Sequence, residues 1–436
     1  MVIYKFGGTS VGSPERMREV EAIITRTGET KIVVLSAVSG VTNALVRIAE
    51  ASEARELVLA EQELEALDRM YYPFLTTLFH KEATQQQGKQ ILDESNRTIR
   101  QTLTGEWEDE FRKIILAQGE LVSTQWFHLL LKESGIDSVL LPALEFMRTN
   151  AEGEPDVAYT SDKLSQMLAL YPGIPLFITQ GYICRNHQGA IDNLKRGGSD
   201  YTATLMGAAL KADEIQIWTD IDGVHNNDPR VVYETHPIRF MSYREAAELA
   251  YFGAKILHPS CVIPAEVALV PIRLKSTMQP DAPGTLISLR SSSQAITAVA
   301  AKDGITVIKI YSHRMFMAYG FLRRVFEVFE KYRTPLDMIT TSEVAVSLTI
   351  DFTDHMHEII RELKQFGEVE WEGEHTILCV VGDNLIKRPG IAQRVFAAIE
   401  KMPIRMISYG GSRHNISILI PENYKREALI QLNTLF

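Results

Sequence analysis

A lysine and two glycines lie close to the start of the chain, in the sequence Lys5-Phe-Gly-Gly-Thr-Ser10. Glycines such as Gly7 and Gly8 let backbone N–H groups approach an anion closely, and the N-terminus of a following helix adds a positive dipole. The ammonium group of Lys5 could neutralise the oxygens of a transferring phosphoryl group. The spacing matches neither a Walker A loop nor a dinucleotide fingerprint, and an ordinary Gly-Gly turn is the alternative interpretation.

Polar residues that could hold an amino acid occur in three further segments. The turn Ser36-Ala-Val-Ser-Gly-Val-Thr-Asn43 offers hydroxyl groups to a carboxylate, although such a turn can equally cap a helix. In Lys195-Arg-Gly-Gly-Ser-Asp200, the guanidinium of Arg196 could grip a carboxylate with two hydrogen bonds, and Asp200 could orient ammonium groups. Glu120 lies on an otherwise apolar stretch of a predicted helix, where a solvated glutamate is the alternative.

A candidate nucleotide segment comprises Trp218-Thr-Asp-Ile-Asp-Gly-Val-His225, Asn227-Asp-Pro-Arg230 and Phe252-Gly-Ala-Lys-Ile-Leu-His258. Lys255 could make a second phosphate contact. A calcium loop is excluded because the ligand spacing that should follow the first two aspartates is absent. Two lysines, glycine loops and an Arg/Glu pair favour phosphoryl transfer, which depends on positioning and charge neutralisation more than on a nucleophilic side chain. No Ser–His–Asp or zinc pattern competes convincingly.

Short apolar strands alternate with longer helices through about residue 285, and these elements must position the polar residues. The predicted strands are Val2–Phe6, Lys31–Leu35, Ser138–Leu141, Leu176–Thr179, Glu214–Trp218 and Val270–Leu274. The alternation predicts an α/β domain with a mainly parallel sheet sandwiched by helices, in which ligands collect beyond the carboxyl ends of the strands. The charged segment from Glu50 to Arg100 predicts a solvated helical insertion or a coiled-coil arm.

An internal repeat lies in the C-terminal part of the chain. The segment 320–331 resembles the segment 390–401, and their Arg-Val-Phe triplets start 70 residues apart. The predicted apolar face of the first repeat helix comprises Leu322, Val325, Phe326, Phe329 and Tyr332. Two β-α-β-β copies fit a paired small-molecule sensor or a structural dimerisation module.

Composition restricts the function classes further. The 436-residue chain has 45% hydrophobic and 23% charged residues, which is ordinary for a globular protein of two or three domains. Its formal net charge of −10 argues against nucleic-acid binding. Cys184, Cys261 and Cys379 form neither a metal pattern nor a disulfide framework, and neither a membrane-spanning run nor a signal peptide is recognisable. We expect a cytoplasmic protein with no nucleic-acid or membrane partner.

Together these segments resemble the aspartokinase family of the amino acid kinase superfamily. The resemblance rests on Lys-Phe-Gly-Gly-Thr-Ser at 5–10, Arg-Gly-Gly-Ser-Asp at 196–200 and Phe-Gly-Ala-Lys-Ile-Leu-His-Pro at 252–259. It implies an amino acid kinase catalytic domain over residues 1–290 and two α+β, ferredoxin-like ACT domains. The first ACT domain, residues 305–373, is expected to be inserted within the second, residues 294–304 and 374–436.

The resemblance implies ATP-dependent phosphorylation of the β-carboxylate of L-aspartate, with Mg²⁺ bridging phosphate oxygens largely through water. The residues implied to contact ATP are Lys5, Gly7, Gly8, Ser10, Thr219, Asp220, His225, Arg230 and Lys255. Those implied to hold aspartate are Ser36, Thr42 near the reacting end, Glu120 near the ammonium group, and Arg196 on the α-carboxylate. The implied catalytic residues are Lys5, Asp200 and Lys255. Asp200 would organise the two lysines, because the acceptor is already a carboxylate and needs no base.

The first ACT domain resembles that of lysine-sensitive members of the family, which implies feedback inhibition by lysine. The implied effector contacts are Met315, Ala318, Gly320, Leu322, Asp337, Thr341 and Ser342, with Asp337 facing the effector ammonium. Ala318 stands where lysine-sensitive relatives can carry Ser, and His225 where many relatives carry Tyr. The resemblance also implies a homodimer or a dimer of dimers formed through paired ACT sheets. Because the chain ends at Phe436, we expect a single activity without a fused homoserine dehydrogenase.

Two other functions remain open from the sequence. One is a kinase of the same superfamily that acts on glutamate, acetylglutamate or a nucleotide. The other is a non-catalytic amino-acid sensor that has kept the paired repeat. The Lys-Phe-Gly-Gly-Thr-Ser opening argues against the first, and intact Lys5, Arg196, Asp200 and Lys255 argue against the second.

Overall fold

The computed structural model describes residues 1–194, 197–253, 257–292, 294–312 and 319–436. The chain divides into two compact units, of which the first comprises residues 1–224 and 257–290 and the second comprises residues 225–256 and 291–436. The limits of the catalytic and ACT domains stay a prediction.

The strands of the described residues are, in chain order, β1 (Val2–Phe6), β2 (Lys31–Leu35), β3 (Val139–Leu141), β4 (Leu176–Gln180), β5 (Ile183–Arg185), β6 (Ile191–Asn193), β7 (Glu214–Thr219), β8 (Phe240–Ser242), β9 (Ile272–Ser276), β10 (Thr285–Ser288), β11 (Ala298–Tyr311), β12 (Ile339–Thr341), β13 (Ala345–Ile350), β14 (Glu368–Val381), β15 (Met406–Tyr409) and β16 (Asn415–Pro421). The helices are α1 (Pro14–Ile24), α2 (Val41–Glu53), α3 (Leu57–Leu78), α4 (Glu82–Leu103), α5 (Asp109–Glu133), α6 (Ala143–Phe146), α7 (Val157–Ala169), α8 (Gly198–Leu210), α9 (Tyr243–Tyr251), α10 (Pro259–Ala268), α11 (Phe321–Lys331), α12 (Met356–Leu363), α13 (Ile391–Ala398) and α14 (Lys425–Leu432).

The first unit is built on a mainly parallel sheet, as the sequence predicts. Its strands are ordered β3-β4-β2-β1-β7-β9-β10, and only the last pair, β9 and β10, is antiparallel. Every residue of β2 and of β4 is buried, which explains why residues 32–35 and 176–178 form apolar runs without alternation. The carboxyl ends of β4, β2, β1 and β7 therefore lie along one edge of this sheet.

The predicted helical insertion consists of α3 and α4, which pack against α5 within the first unit. Tyr71 and Phe74 of α3 contact Trp126 of α5, with ring centroids 5.0 and 5.8 Å apart. The indole N–H of Trp126 donates a hydrogen bond of 2.9 Å to the carbonyl oxygen of Gly88 on α4. The insertion thus extends the core of the unit and fixes α5, the helix that carries Glu120.

The second unit contains a six-stranded antiparallel sheet with the order β12-β13-β11-β14-β16-β15. The long strands β11 and β14 pair with each other at the centre, and the register shifts between Lys302 and Val307. Helices α11 and α12 pack on the part of the sheet that includes β13, whereas α13 and α14 pack on the part that includes β16. The two repeats therefore share one continuous sheet, which agrees with the predicted ferredoxin-like pair.

Among the residues that the structure describes, none of the helices combines the length and the apolar character that crossing a bilayer requires.

Candidate active site

An ion pair joins the ends of two elements in the first unit. Lys5 lies near the carboxyl end of β1, and its Nζ is 2.6 Å from Oδ1 of Asp200 in the first turn of α8. The side chains are only 12% and 17% exposed. A carboxylate near a helix N-terminus is stabilised by the helix dipole, so Asp200 is suited to fix an ammonium group at this edge of the sheet.

A cavity of about 490 Å³ opens at the carboxyl ends of β1, β2 and β4. The loop after β1 contributes Gly8, the loop between β2 and α2 contributes Ser36, and the first turn of α2 contributes Thr42. Glu120 of α5 and Tyr182, which follows β4, also line the cavity, as do Gly198 and Ser199 at the start of α8. The structure therefore brings together four of the predicted residues, Gly8, Ser36, Thr42 and Glu120.

Glu120 is a buried carboxyl group inside this cavity. Its Oε1 accepts a hydrogen bond of 3.2 Å from the backbone N–H of Ala37, whereas Oε2 is buried without a hydrogen-bond partner among the described residues. Burial raises the pKa of Glu120 to about 8, against a smaller lowering by the Ala37 N–H. The unpaired oxygen can accept a hydrogen bond from a ligand, and a cationic donor would favour the ionised carboxylate.

Tight packing between α5 and the loop after β2 holds Glu120 in place. A Cβ atom on Gly119 would lie 2.8 Å from Cβ of Ala37, so only glycine allows the helix to approach this closely. The hydroxyl of Ser123 donates a hydrogen bond of 2.9 Å to the carbonyl oxygen of Ser36. The same helix therefore presents the carboxyl group and anchors the loop that faces it.

The remaining predicted phosphate and nucleotide residues of the first unit lie along the same edge of the sheet. Gly7 follows β1 directly, and Ser10 is buried with a hydroxyl that has no hydrogen-bond partner among the described residues. Thr219 ends β7, which pairs with β1, and its hydroxyl donates to Oδ1 of Asp220 at 3.0 Å. These positions are compatible with the predicted contacts, which stay predictions.

Two of the predicted nucleotide residues that the structure describes belong to the second unit. Nδ1 of His225 is 2.8 Å from the hydroxyl of Thr235. Arg230 donates to both carboxylate oxygens of Asp228, at 3.0 and 2.8 Å. The guanidinium of Arg230 would have to exchange this partner for a phosphate oxygen in order to contact ATP.

The predicted effector residues that the structure describes lie on or beside two elements of the second unit, α11 and β12. Gly320 precedes α11 with a φ of 77°, and Leu322 lies in the first turn of that helix. Asp337 precedes β12, and its side chain is 2% exposed. Thr341 ends β12, and Ser342 closes the hairpin to β13, where its hydroxyl accepts a hydrogen bond of 3.1 Å from the N–H of Ala345.

Four predicted site residues, Arg196, Lys255, Met315 and Ala318, lie outside the described residues. Their implied contacts therefore stay predictions from the sequence.

Two further residues of these sites, Tyr182 and Lys302, were not predicted from the sequence. Tyr182 lines the cavity because it follows β4, so the rule that ligands collect at carboxyl ends of strands could have indicated it. Lys302 lies 2.5 Å from Asp337 in the second unit. Its involvement depends on how β11 is placed beside the residues that precede β12, and no local pattern shows this.

Models of two known domain families match this chain, and curated relatives match nearly all of it. The sequence model of the amino acid kinase family matches residues 1–276, and an ACT domain model matches residues 378–436. Lysine-sensitive aspartokinase 3 of Escherichia coli is 32% identical over 446 residues, which cover 100% of this chain and 98% of the relative. Aspartokinase 1, chloroplastic, of Arabidopsis thaliana is 32% identical, with 96% of this chain and 77% of the relative covered.

Solved structures agree with the sequence comparison. Escherichia coli aspartokinase III in complex with aspartate and ADP has a TM-score of 0.87 and 32% identity, and covers 100% of this chain and 99% of that chain. The same enzyme in complex with lysine and aspartate has a TM-score of 0.84 and 33% identity, with the same coverage.

Proposed function

Because the chain belongs to the aspartokinase family, we infer that it is an aspartate kinase, which transfers the γ-phosphoryl group of ATP to the β-carboxylate of L-aspartate. The product is 4-phospho-L-aspartate, and the reaction is the first step of lysine, threonine and methionine biosynthesis. The observation that carries this assignment is the Lys5–Asp200 ion pair of 2.6 Å, beside a cavity to which the loop after β1 supplies Gly8 and α8 supplies Gly198 and Ser199. The proposed compartment is the cytoplasm.

We propose that the cavity is the aspartate subsite. Oε2 of Glu120 is buried and unpaired among the described residues, so it can accept the substrate ammonium. Ser36 and Thr42 line the same cavity, and their hydroxyl groups would hold the carboxylates, with Thr42 near the reacting end. From the resemblance, Arg196 would bind the α-carboxylate in a two-pronged manner, a geometry that lysine could not reproduce.

We propose that Lys5 and the loop after β1 form the phosphate subsite. Asp200 holds the Lys5 ammonium at the carboxyl end of β1, so the positive charge is in place before the phosphoryl group moves. The acceptor carboxylate is ionised at neutral pH, hence no general base is required and Asp200 serves to position Lys5. From the resemblance, Lys255 would supply a second ammonium group.

Mg²⁺ would accompany ATP in this proposal. Within residues 1–194, 197–253, 257–292, 294–312 and 319–436, the structure shows no group of three or more His, Cys, Asp or Glu residues that could hold a metal ion. We propose that phosphate oxygens and water would chiefly hold the cation. When bound there, Mg²⁺ would neutralise charge on the transferring phosphoryl group.

Replacing Gly8 with Ala is expected to lower kcat/KM for aspartate roughly tenfold, because small displacements of reacting groups are costly. A Cβ atom at Gly8 would lie 2.9 Å from the carbonyl oxygen of Ala37, so the two loops that line the cavity would have to separate. Gly28→Ala is the matched control, since a Cβ atom there meets nothing within 4 Å. Steady-state kinetics of both variants test this expectation, and equal efficiencies would contradict it.

An acceptor panel tests the kinase assignment against the alternatives. ADP formation is measured with ATP and either aspartate, glutamate, acetylglutamate or a nucleoside monophosphate. We expect turnover with aspartate alone. Turnover only with another acceptor would indicate a different kinase of the superfamily, and lysine binding without nucleotide binding would indicate the non-catalytic sensor.

We propose further that free lysine inhibits the enzyme through the second unit. The support is the buried Asp337, whose carboxyl group suits an effector ammonium, together with the relative that carries the name lysine-sensitive aspartokinase 3. We expect millimolar lysine to reduce aspartate-dependent turnover. If threonine inhibits while lysine has no effect, the assignment of lysine as effector is wrong.

We also propose that the enzyme works as a homodimer or as a dimer of dimers formed through the ACT sheets. Light scattering at micromolar concentration tests this, and a monomeric mass would count against it.

A further inference from the structure

The carboxylate that the effector is proposed to need already has an internal cation. Nζ of Lys302 is 2.5 Å from Oδ1 of Asp337 and 2.8 Å from Oδ2 of Asp351. The hydroxyl of Tyr251 donates a second hydrogen bond to Oδ1 of Asp337 at 3.1 Å, and its ring centroid lies 4.9 Å from the Lys302 ammonium. An amino group of the chain itself thus occupies the position expected for the effector ammonium.

The protonation of this cluster supports an ion pair. Burial raises the pKa of Asp337, although the Lys302 ammonium opposes that shift. Burial lowers the pKa of Lys302, but hydrogen bonds to Asp337 and Asp351 outweigh this effect, and the net pKa is raised. The lysine therefore remains an ammonium group, and a second cation can reach Asp337 only by competing with it.

The internal repeat places an ion pair of opposite polarity at the equivalent position of the second copy. Lys302 corresponds to Glu372, since the two are 70 residues apart like the Arg-Val-Phe triplets. Asp337 corresponds to Arg405: their backbone N–H groups donate to the carbonyl oxygens of Thr349 and Leu419, which are again 70 residues apart. Arg405 binds Glu372.

The two pairs differ in burial as well as in polarity. The side chains of Arg405 and Glu372 are 32% and 48% exposed, whereas those of Lys302 and Asp337 are 19% and 2% exposed. At these equivalent positions the first copy therefore presents a buried carboxylate and the second presents a guanidinium. An ammonium-bearing effector is consequently expected to select the first copy.

Two features of the cluster would allow an exchange of cations. Oδ2 of Asp337 is buried and has no hydrogen-bond partner among the described residues, so the carboxylate has capacity for a further donor. Asp351 is 34% exposed and can keep Lys302 once Asp337 is lost as its partner. Leaving Asp337 thus does not strand the Lys302 ammonium in a buried site without a counter-ion, which would be costly.

We propose that Lys302 is a built-in competitor of the effector: free lysine binds by displacing the Lys302 ammonium from Asp337 onto Asp351. This inference rests on the proposed lysine feedback. It assigns to Lys302 the role of setting the lysine concentration at which the enzyme responds.

Lysine titration of three variants tests the proposal. Lys302→Met removes the competitor and is expected to lower the half-inhibitory lysine concentration roughly tenfold, the scale of one charge-assisted hydrogen bond. Asp351→Asn leaves the buried pair intact but removes the alternative partner, and is expected to raise that concentration roughly threefold. Arg405→Met is the matched control in the second copy and should respond to lysine as the wild type does.

Calorimetry of lysine binding to the same proteins distinguishes failure of the competitor role from failure of the lysine feedback proposal. If the wild type binds lysine and Lys302→Met binds it no more tightly, the competitor role is wrong while the feedback proposal stands. If the wild type binds no lysine, the feedback proposal fails. In that case, lysine binding by Lys302→Met would still support competition between Lys302 and the effector. Absence of binding in both proteins would overturn the competitor role. Should Lys302→Met fail to fold, an unchanged or lowered half-inhibitory concentration in Asp351→Asn would overturn the proposal.

Discussion

Replacing Lys5 with Met is expected to lower kcat by about three orders of magnitude and to change the KM for aspartate only a few fold. Phosphoryl transfer depends on neutralising charge that develops in the transition state, and Lys5 is only 12% exposed, so water compensates poorly for its loss. Its ammonium is fixed by Asp200 before substrate arrives. The measurement is steady-state kinetics with aspartate and ATP varied in turn.

Two controls make the Lys5 result specific. Lys163→Met removes an exposed lysine of α7 and should leave kcat unchanged. Asp200→Asn should lower kcat in the wild type but far less in the Lys5→Met background, because Asp200 acts through Lys5. If Lys5→Met keeps more than a tenth of the wild-type kcat, or if the Lys5 and Asp200 effects simply add, the proposed pairing is not part of catalysis.

Replacing Glu120 with Gln is expected to raise the KM for aspartate roughly 10- to 100-fold, because a buried hydrogen bond between charged groups is lost. The pKa of Glu120 is raised to about 8, so the carboxyl group is mostly protonated at pH 7 in the free enzyme. The substrate ammonium favours the ionised form, and aspartate binding should therefore release a proton below pH 8. Affinity for aspartate is expected to fall as the pH is lowered from 8.

Calorimetry in two buffers with different ionisation enthalpies measures this proton release directly. We expect close to one proton released near pH 7 in the wild type and in Glu110→Gln, an exposed glutamate on the same helix, and none in Glu120→Gln. Equal proton release by wild type and Glu120→Gln would contradict the assignment.

The raised pKa of Glu120 also makes the stability of the fold depend on pH. The folded protein binds a proton on Glu120 up to about pH 8, whereas an unfolded glutamate loses it near 4.5. The free energy of unfolding should therefore decrease as the pH rises through this interval, and Glu120→Gln should reduce that dependence.

The central strands β2 and β4 of the first unit could be predicted from sequence because they are buried on both faces. Residues 32–35 and 176–178 are apolar throughout, and the structure places β2 and β4 within one residue of the predicted strands. The Lys5–Asp200 ion pair could not be predicted in this way. Lys5 and Asp200 are separated by most of the first unit in sequence, and only the order of the strands brings β1 beside the start of α8.

In the second unit, local sequence patterns did not predict which face of α11 is buried. The repeat was evident from its matching triplets, but the predicted apolar face of α11 was partly wrong: Leu322 and Phe326 are 36% and 40% exposed, and Phe321 and Val328 are buried instead. Apolar residues occur on both sides of this helix, so packing against the sheet selects the buried face. The grouping of residues 225–256 with the second unit likewise has no local sequence signal.

The most direct test of the central claim is identification of the product. The enzyme is incubated with ATP, Mg²⁺ and aspartate in the presence of hydroxylamine, which traps an acyl phosphate as a hydroxamate, and the adduct is identified by mass spectrometry. We predict aspartate β-hydroxamate, formed with aspartate but not with glutamate and lost in Lys5→Met. ADP formation without any hydroxamate, or a hydroxamate formed on the α-carboxylate, would contradict phosphorylation of the β-carboxylate.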